Sequence, residues 1–263
     1  MKRNYLREKL NAGLPTLGTR LQSTWASITE VVGYSGQFDY VEFLAEYAPF
    51  TPFDLENITR AAELHQMSSM IKIPQQSRME LALRGMNAGI LNFLFTDVRT
   101  VDDAVECVRS VRAESPECGG LHGVGHGRDS EIVLEIGSPA FLKTTEDAVV
   151  AFMVEKKETI ENLEAILSVP GVDMVQFGPG DYSMSIGRVG DRKHPEVVEA
   201  ERHMIATALK MGVTPRAEIA GPADSEYYLN QGVRHFCMQT DTIILYNWYQ
   251  SNGSALREIL KDL

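Results

Sequence analysis

Cysteine is scarce and shows no pairing pattern. Cys107, Cys118 and Cys237 are widely spaced, odd in number and contain no CxxC pair. That usage argues against a disulfide framework or a thiolate zinc site and suits reduced thiols in the cytoplasm. Long hydrophobic runs are missing too. No stretch approaches the roughly 20 consecutive apolar residues of a membrane span. The opening MKRNYLREKLNAG has basic residues with no apolar signal core behind them, so export is not expected. Positive charge is in deficit, with 25 Lys and Arg against 36 Asp and Glu, a net charge of −11. Phosphate backbones need a clustered positive footprint, so nucleic acid is not an expected partner. A small anionic substrate remains compatible, because a local cation overrides the mean field at short range.

What is present is an alternation. Short β-like runs occur at LGTRLQ (17–22), YVEFL (40–44), SMIKI (69–73), GILNFLF (89–95), VVAFMVE (149–155), MVQFG (174–178), TPRAEI (214–219) and HFCMQT (235–240). Helix-like stretches separate them: Pro52 to Gln66, Ser77 to Asn87, Val101 to Val111, Lys157 to Ser168, His194 to Met211 and Pro222 to Gln231. Short strands alternating with longer amphipathic segments imply βαβ units and a parallel sheet. Eight of them in 263 residues suit one closed (β/α)8 TIM barrel, a single α/β domain over 1–263, better than an open sheet. Pro52 and Pro195 fit first-turn helix positions, and Pro170-Gly171 ends the helix before them. The Gly-rich stretch from Glu114 to Arg128 is read as a loop over one mouth of the barrel, and the segment from Asp241 onward as a closing helix.

In such barrels the reacting groups sit where strands end and βα loops begin. Glu155 and Asp181 occupy that place after two consecutive strands. Neighbouring strands run about 4.8 Å apart, so both carboxylates can reach one ion. Two hard oxygen ligands with open positions suit Mg²⁺, Mn²⁺ or Co²⁺; the alternative is that each acid caps the helix after it. In Gly178-Pro179-Gly180-Asp181, glycine permits close backbone approach to an anion, or simply makes a strand-to-helix turn. Lys72 ends a strand and could neutralise a carboxylate or enolate, or form a Schiff base if desolvated. Tyr47 lies just past a strand beside Glu46, as hydrogen-bond donor or as packing. With an ordinary pKa near 10 it is a poor base. His122 and His126 flank GVG, which makes a helical metal pair improbable, so they read as loop anchors or substrate contacts.

These segments together resemble the HpcH/HpaI family of metal-dependent (class II) pyruvate aldolases. The similarity runs over nearly the whole chain, and Val154 to Gly187 carries its most specific part: a glutamate strand, a helix and a GPxDLS-like turn. The resemblance implies Glu155 and Asp181 as metal ligands and the backbone N–H groups of Gly180 and Asp181 as the cradle of a 2-oxo acid carboxylate. It implies an enolate stabilised by the metal, and a hexamer built as a trimer of dimers that exchange the C-terminal helix. It also exposes departures. The family's DGEHAP is here Leu44-Ala45-Glu46-Tyr47-Ala48-Pro49, so Tyr47 replaces the catalytic histidine and Leu44 the aspartate that orients it. Lys72 replaces an arginine, His122 the arginine of an IRGVG loop, and Arg20 a tryptophan.

The expected activity is therefore a metal-dependent carbon–carbon lyase acting on a 2-oxo acid. Lys72 would add positive charge, Tyr47 with His122 or a metal-bound water would handle protons, and Arg20, Gly180 and Asp181 would bind substrate. Arg20, Lys72, His122 and Arg128 suggest a cationic mouth and a dicarboxylate. Two alternatives stay open: decarboxylation of a 3-carboxylated oxo acid, which needs no aldol base, and metal and ligand binding without turnover.

Overall fold

All eight short apolar runs become strands, and they pair in chain order. The computed structural model describes residues 2–262, and its strands are β1 (Thr16–Leu21), β2 (Tyr40–Phe43), β3 (Ser68–Ile73), β4 (Asn92–Phe95), β5 (Val149–Val154), β6 (Met174–Phe177), β7 (Thr214–Ile219) and β8 (His235–Thr240). Every neighbouring pair is parallel, and β8 returns to β1, closing the barrel. The helices are α1 (Tyr5–Asn11), α2 (Ala26–Tyr34), α3 (Pro52–Leu64), α4 (Arg78–Ala88), α5 (Val101–Val111), α6 (Pro139–Glu146), α7 (Lys157–Glu161), α8 (Leu163–Leu167), α9 (Pro179–Ser185), α10 (Pro195–Met211), α11 (Ser225–Leu229) and α12 (Asp241–Ile259). The helix expected over 157–168 is thus two short ones sharing Asn162, and the one expected over 222–231 shrinks to α11 behind a 3-10 turn. No helix of the described residues is long and apolar enough to cross a membrane.

Side-chain alternation along the strands divides the interior in two. Outward-facing Val41, Phe43, Ile71, Ile73, Phe93, Phe95, Phe152 and Val175 pack under the helices as the main core. Inward-facing Tyr40, Met70, Leu94, Ala151, Met153 and Met174 fill the lumen, which Leu6 of α1 plugs from below. Gly18 matters here by its size: a Cβ at that position would lie 2.3 Å from the Tyr40 ring, so only glycine lets the tyrosine cross the lumen.

Above this apolar plug the lumen is polar. Arg216 and Glu42, both buried, pair at 2.6 Å (Nη2 to Oε2). Arg216 also donates to Gln176 Oε1 (2.7 Å) and Tyr40 Oη (3.2 Å). Gln176 Nε2 donates to Glu218 Oε2 at 3.2 Å, and Glu218 pairs with Arg20 at 2.6 Å. The chain of contacts climbs from the middle of the barrel to its C-terminal mouth.

Candidate active site

Glu155 follows β5 directly and is buried, 3 % exposed. Its Oε1 accepts the backbone N–H of Asp97 at 3.0 Å. Asp97 sits in the turn after β4 with φ of 55°, a left-handed conformation that aspartate tolerates better than most residues. Arg78, buried at the start of α4, fixes that turn by donating to the carbonyls of Thr96 (3.1 Å) and Asp97 (2.8 Å) while pairing with Asp103 (2.6 Å). Thr159 of α7 ties down the next carbonyl, Val98, at 2.8 Å. On the other side, Ser185 of α9 accepts the Lys157 N–H at 3.1 Å. The loops after β4, β5 and β6 are therefore laced together, and their functional groups face one another.

Gly178 completes the seat. A Cβ there would lie 2.7 Å from Glu155 Cβ and 2.9 Å from its Oε2, so any other residue would push the carboxylate out of place. Pro179 occupies the first turn of α9 and Asp181 follows in that turn, half exposed. Asp181 Oδ1 accepts from Lys156 Nζ at 3.0 Å, and the same ammonium lies 3.1 Å from Asp97 Oδ1.

Lys72 faces this group from β3. Its Nζ donates to Tyr47 Oη at 2.9 Å and pairs with Glu46 Oε2 at 2.7 Å. Burial alone would lower the lysine, but Tyr47 and Glu46 outweigh it and hold the ammonium above its ordinary value. A lysine so held is a fixed positive charge rather than an amine nucleophile, which disfavours Schiff-base chemistry. Burial pushes the Tyr47 phenol up to about 12, against the pull of Lys72, so it is a proton donor at neutral pH and not a base. Glu155 is pushed up to about 7, first by burial and further by Asp181. Lys72, the Asp97 N–H and Lys156 pull the other way.

The structure thus gathers Glu155, Asp181, Gly180, Lys72 and Tyr47 at the C-terminal mouth, with Arg20 below them on β1, paired to Glu218 and donating to the Gln239 carbonyl at 3.2 Å. It does not bring His122 there. His122 belongs to the connection from α5 to β5, and such connections run at the N-terminal mouth. Its N–H bonds to the Arg112 carbonyl (2.9 Å), its Nε2 meets Asp129 Oδ2 at 2.9 Å, and its ring stacks on Phe141. Arg112 in turn holds the Ala148 carbonyl just before β5 begins. Within the chain, His122 is thus tied into its own loop and stands apart from the gathered residues. Arg128 is corrected likewise: it donates to the Ala88 carbonyl (3.1 Å) and pairs with Glu63, away from the cationic mouth.

Three contributors escaped the sequence reading. Asp97 and Lys156 both occupy βα-loop positions, the signal that singled out Glu155 and Asp181. Arg192, in the loop after α9, gave no such signal, yet its guanidinium would lie 3.4 Å from a Cβ at Gly180.

Among the described residues no group of three His, Cys, Asp or Glu side chains is arranged to hold a metal. Two carboxylates nonetheless fit a hard divalent ion, which commonly takes one or two of them and fills the remaining positions with water and substrate oxygens. The donor chemistry agrees: a buried carboxylate and a second carboxylate follow two adjacent strands, the second already holding a cation in the form of Lys156.

A family model for the HpcH/HpaI aldolase/citrate lyase family matches residues 37–240. The 5-keto-4-deoxy-D-glucarate aldolase of Klebsiella pneumoniae is 27 % identical over 230 residues, covering 88 % of each chain. The hydroxypyruvate/pyruvate aldolase of Paraburkholderia phytofirmans is 24 % identical over 97 % of each. The crystal structure of an HpcH/HpaI aldolase from Desulfitobacterium hafniense superposes with a TM-score of 0.87 at 25 % identity, over 97 % of this chain and 98 % of that one. The chain belongs to the HpcH/HpaI aldolase/citrate lyase family, and its enzyme class is carbon–carbon lyase.

Proposed function

We propose that this protein cleaves or forms a carbon–carbon bond next to the keto group of a 2-oxo acid, with a divalent metal ion (Mg²⁺, Mn²⁺ or Co²⁺) held by Glu155 and Asp181. The observation that carries the reading is the buried Glu155 carboxylate, oriented by the Asp97 N–H. When bound, the ion would supply the Lewis-acid charge that favours the enolate of a 2-oxo acid. The N–H groups of Gly180 and Asp181, in the first turn of α9, hold the substrate carboxylate. Lys72 adds a second positive charge near the developing oxyanion, and Tyr47 delivers a proton or hydrogen bond from the same side. Arg20, already paired with Glu218, receives a further carboxylate of a dicarboxylic substrate.

The state of Tyr47 and Lys72 favours a second reaction on the same site. Neither is a base at neutral pH, and decarboxylation of a 3-carboxylated 2-oxo acid such as oxaloacetate requires none. The protein acts as a homo-oligomer, a hexamer of three dimers that exchange α12. In support, α12 leaves Ile244, Tyr246, Trp248, Tyr249 and Ile259 exposed and buries only Asp241 among the described residues. The unpaired cysteines accord with a cytoplasmic enzyme.

The test is exchange of pyruvate methyl protons in D2O, followed by NMR with Mg²⁺, Mn²⁺ or Co²⁺, alongside cleavage of 4-hydroxy-2-oxo acids and turnover of oxaloacetate. Metal-dependent exchange abolished by EDTA is expected. Absence of exchange and of turnover on all of these substrates would sink the reading.

A further inference from the structure

The cation nearest Asp181 is one the chain carries itself. Lys156 Nζ stands 3.0 Å from Asp181 Oδ1 and 3.1 Å from Asp97 Oδ1, with its side chain 14 % exposed. One ammonium between two carboxylate oxygens from different loops occupies the place of a bridging cation. Lys156 directly follows Glu155, so the strand end that delivers the buried carboxylate also delivers this charge. Asp97 is no free surface acid. Arg78 pins its carbonyl, its N–H is committed to Glu155, and its carboxylate therefore has a set place beside Lys156.

We infer that Lys156 is a tethered competitor for the divalent ion: it neutralises Asp181 in the metal-free protein and passes to Asp97 when Asp181 becomes a ligand. The inference rests on the Glu155–Asp181 metal reading. Its physical basis is that an ammonium and a divalent ion on one carboxylate repel strongly, since the mouth screens charge less than bulk water does. Asp97 makes the exchange feasible, because without it the released ammonium would be left partly buried and unpaired. Lys156 thus sets how tightly the site loads, and Asp97 acts on the metal only through Lys156.

Calorimetric titration of Mn²⁺ into the full chain at one fixed pH tests this, with thermal unfolding in the absence of metal confirming that each variant is folded. Lys156→Met is expected to bind Mn²⁺ about tenfold more tightly, removing one repelling charge; Lys156→Arg, which keeps the charge, stays near the wild-type value. Asp97→Asn weakens binding several-fold on its own, and much less in a Lys156→Met background, as a double-mutant cycle would show. Unchanged or weaker binding in Lys156→Met overturns the inference, since Lys156 would then position Asp181 rather than compete for it. Equal weakening by Asp97→Asn in both backgrounds overturns it too, since Asp97 would then act on the ion directly. In either case Mn²⁺ binding that is lost in Glu155→Gln leaves the metal reading standing. No Mn²⁺ binding by wild type or by Lys156→Met would overturn both together.

Discussion

The two mouths of the barrel use polar side chains for opposite ends. At the N-terminal mouth, arginines and an asparagine direct their donors at backbone carbonyls. Asn4 reaches Leu91 and Asp147, Arg7 reaches Asp147 and Ala148, and Arg112 reaches Thr145 and Ala148. At the C-terminal mouth, charged groups pair mainly with one another: Lys156 with Asp97 and Asp181, Lys72 with Glu46 and Tyr47. A side chain bonded to a backbone carbonyl is a fixed staple. A side chain bonded to another mobile side chain can trade that partner for a ligand. The His122–Asp129 pair looks like an acid–base dyad, yet its backbone bonds and its stacking on Phe141 put it with the staples.

The widest separation between the mouths comes from paired substitutions. Glu155→Gln should lower turnover on the order of 10³-fold or more, because the proposed metal site would lose its buried ligand and several kcal/mol of stabilisation with it. His122→Asn should leave kcat within about twofold while costing roughly 1–3 kcal/mol of stability, the penalty for leaving buried Asp129 without its partner. Steady-state kinetics and urea denaturation on both variants decide. A large kinetic loss in His122→Asn would erase the distinction drawn here.

A smaller effect is expected at Arg7, whose guanidinium grips Asp173 through two bonds of 2.6 and 2.7 Å. Arg7→Met should lower stability by about 2 kcal/mol, as loss of a charge-assisted bond does, with Mn²⁺ affinity unchanged in calorimetry. A shift in metal affinity would mean that the plug and the upper mouth are coupled.

The smallest effect is a slope. His235 opens β8 near the closed end, its Nδ1 3.0 Å from Thr16 Oγ1, and burial assisted by Arg216 pushes it down to about 4. An unfolded histidine titrates near 6.5, so as pH falls the unfolded chain takes up that proton first. The stability tied to neutral His235 is present above about pH 6.5 and is lost as pH falls from there toward 4. Urea midpoints at pH 7.5 and 5 should differ less in His235→Gln than in wild type; an equal difference would remove His235 as the cause.

Much of the fold was legible because strand alternation and helix punctuation are local. All eight strands were recognisable from their apolar runs, and Pro52 and Pro195 mark their helix starts as expected. Glu155, Asp181 and Lys72 were legible because a residue at the end of a barrel strand or in the turn after it lies at one mouth only. The same rule applied to His122, which follows a helix and precedes a strand, points to the other mouth. Asp97 and Lys156 carried the right signal but no distinguishing chemistry, since a lone acid or lysine in a loop is usually solvated.

By itself, then, the sequence determined the barrel and the strand-end acids. These depend on periodicity and on position within a βα unit, which neighbouring residues encode. Only the tertiary structure decided who pairs with whom. The Lys156 bridge between Asp97 and Asp181 joins three separate loops, and the Glu42–Arg216–Gln176–Glu218–Arg20 chain links four strands. Such pairings depend on distances that close only when the barrel does.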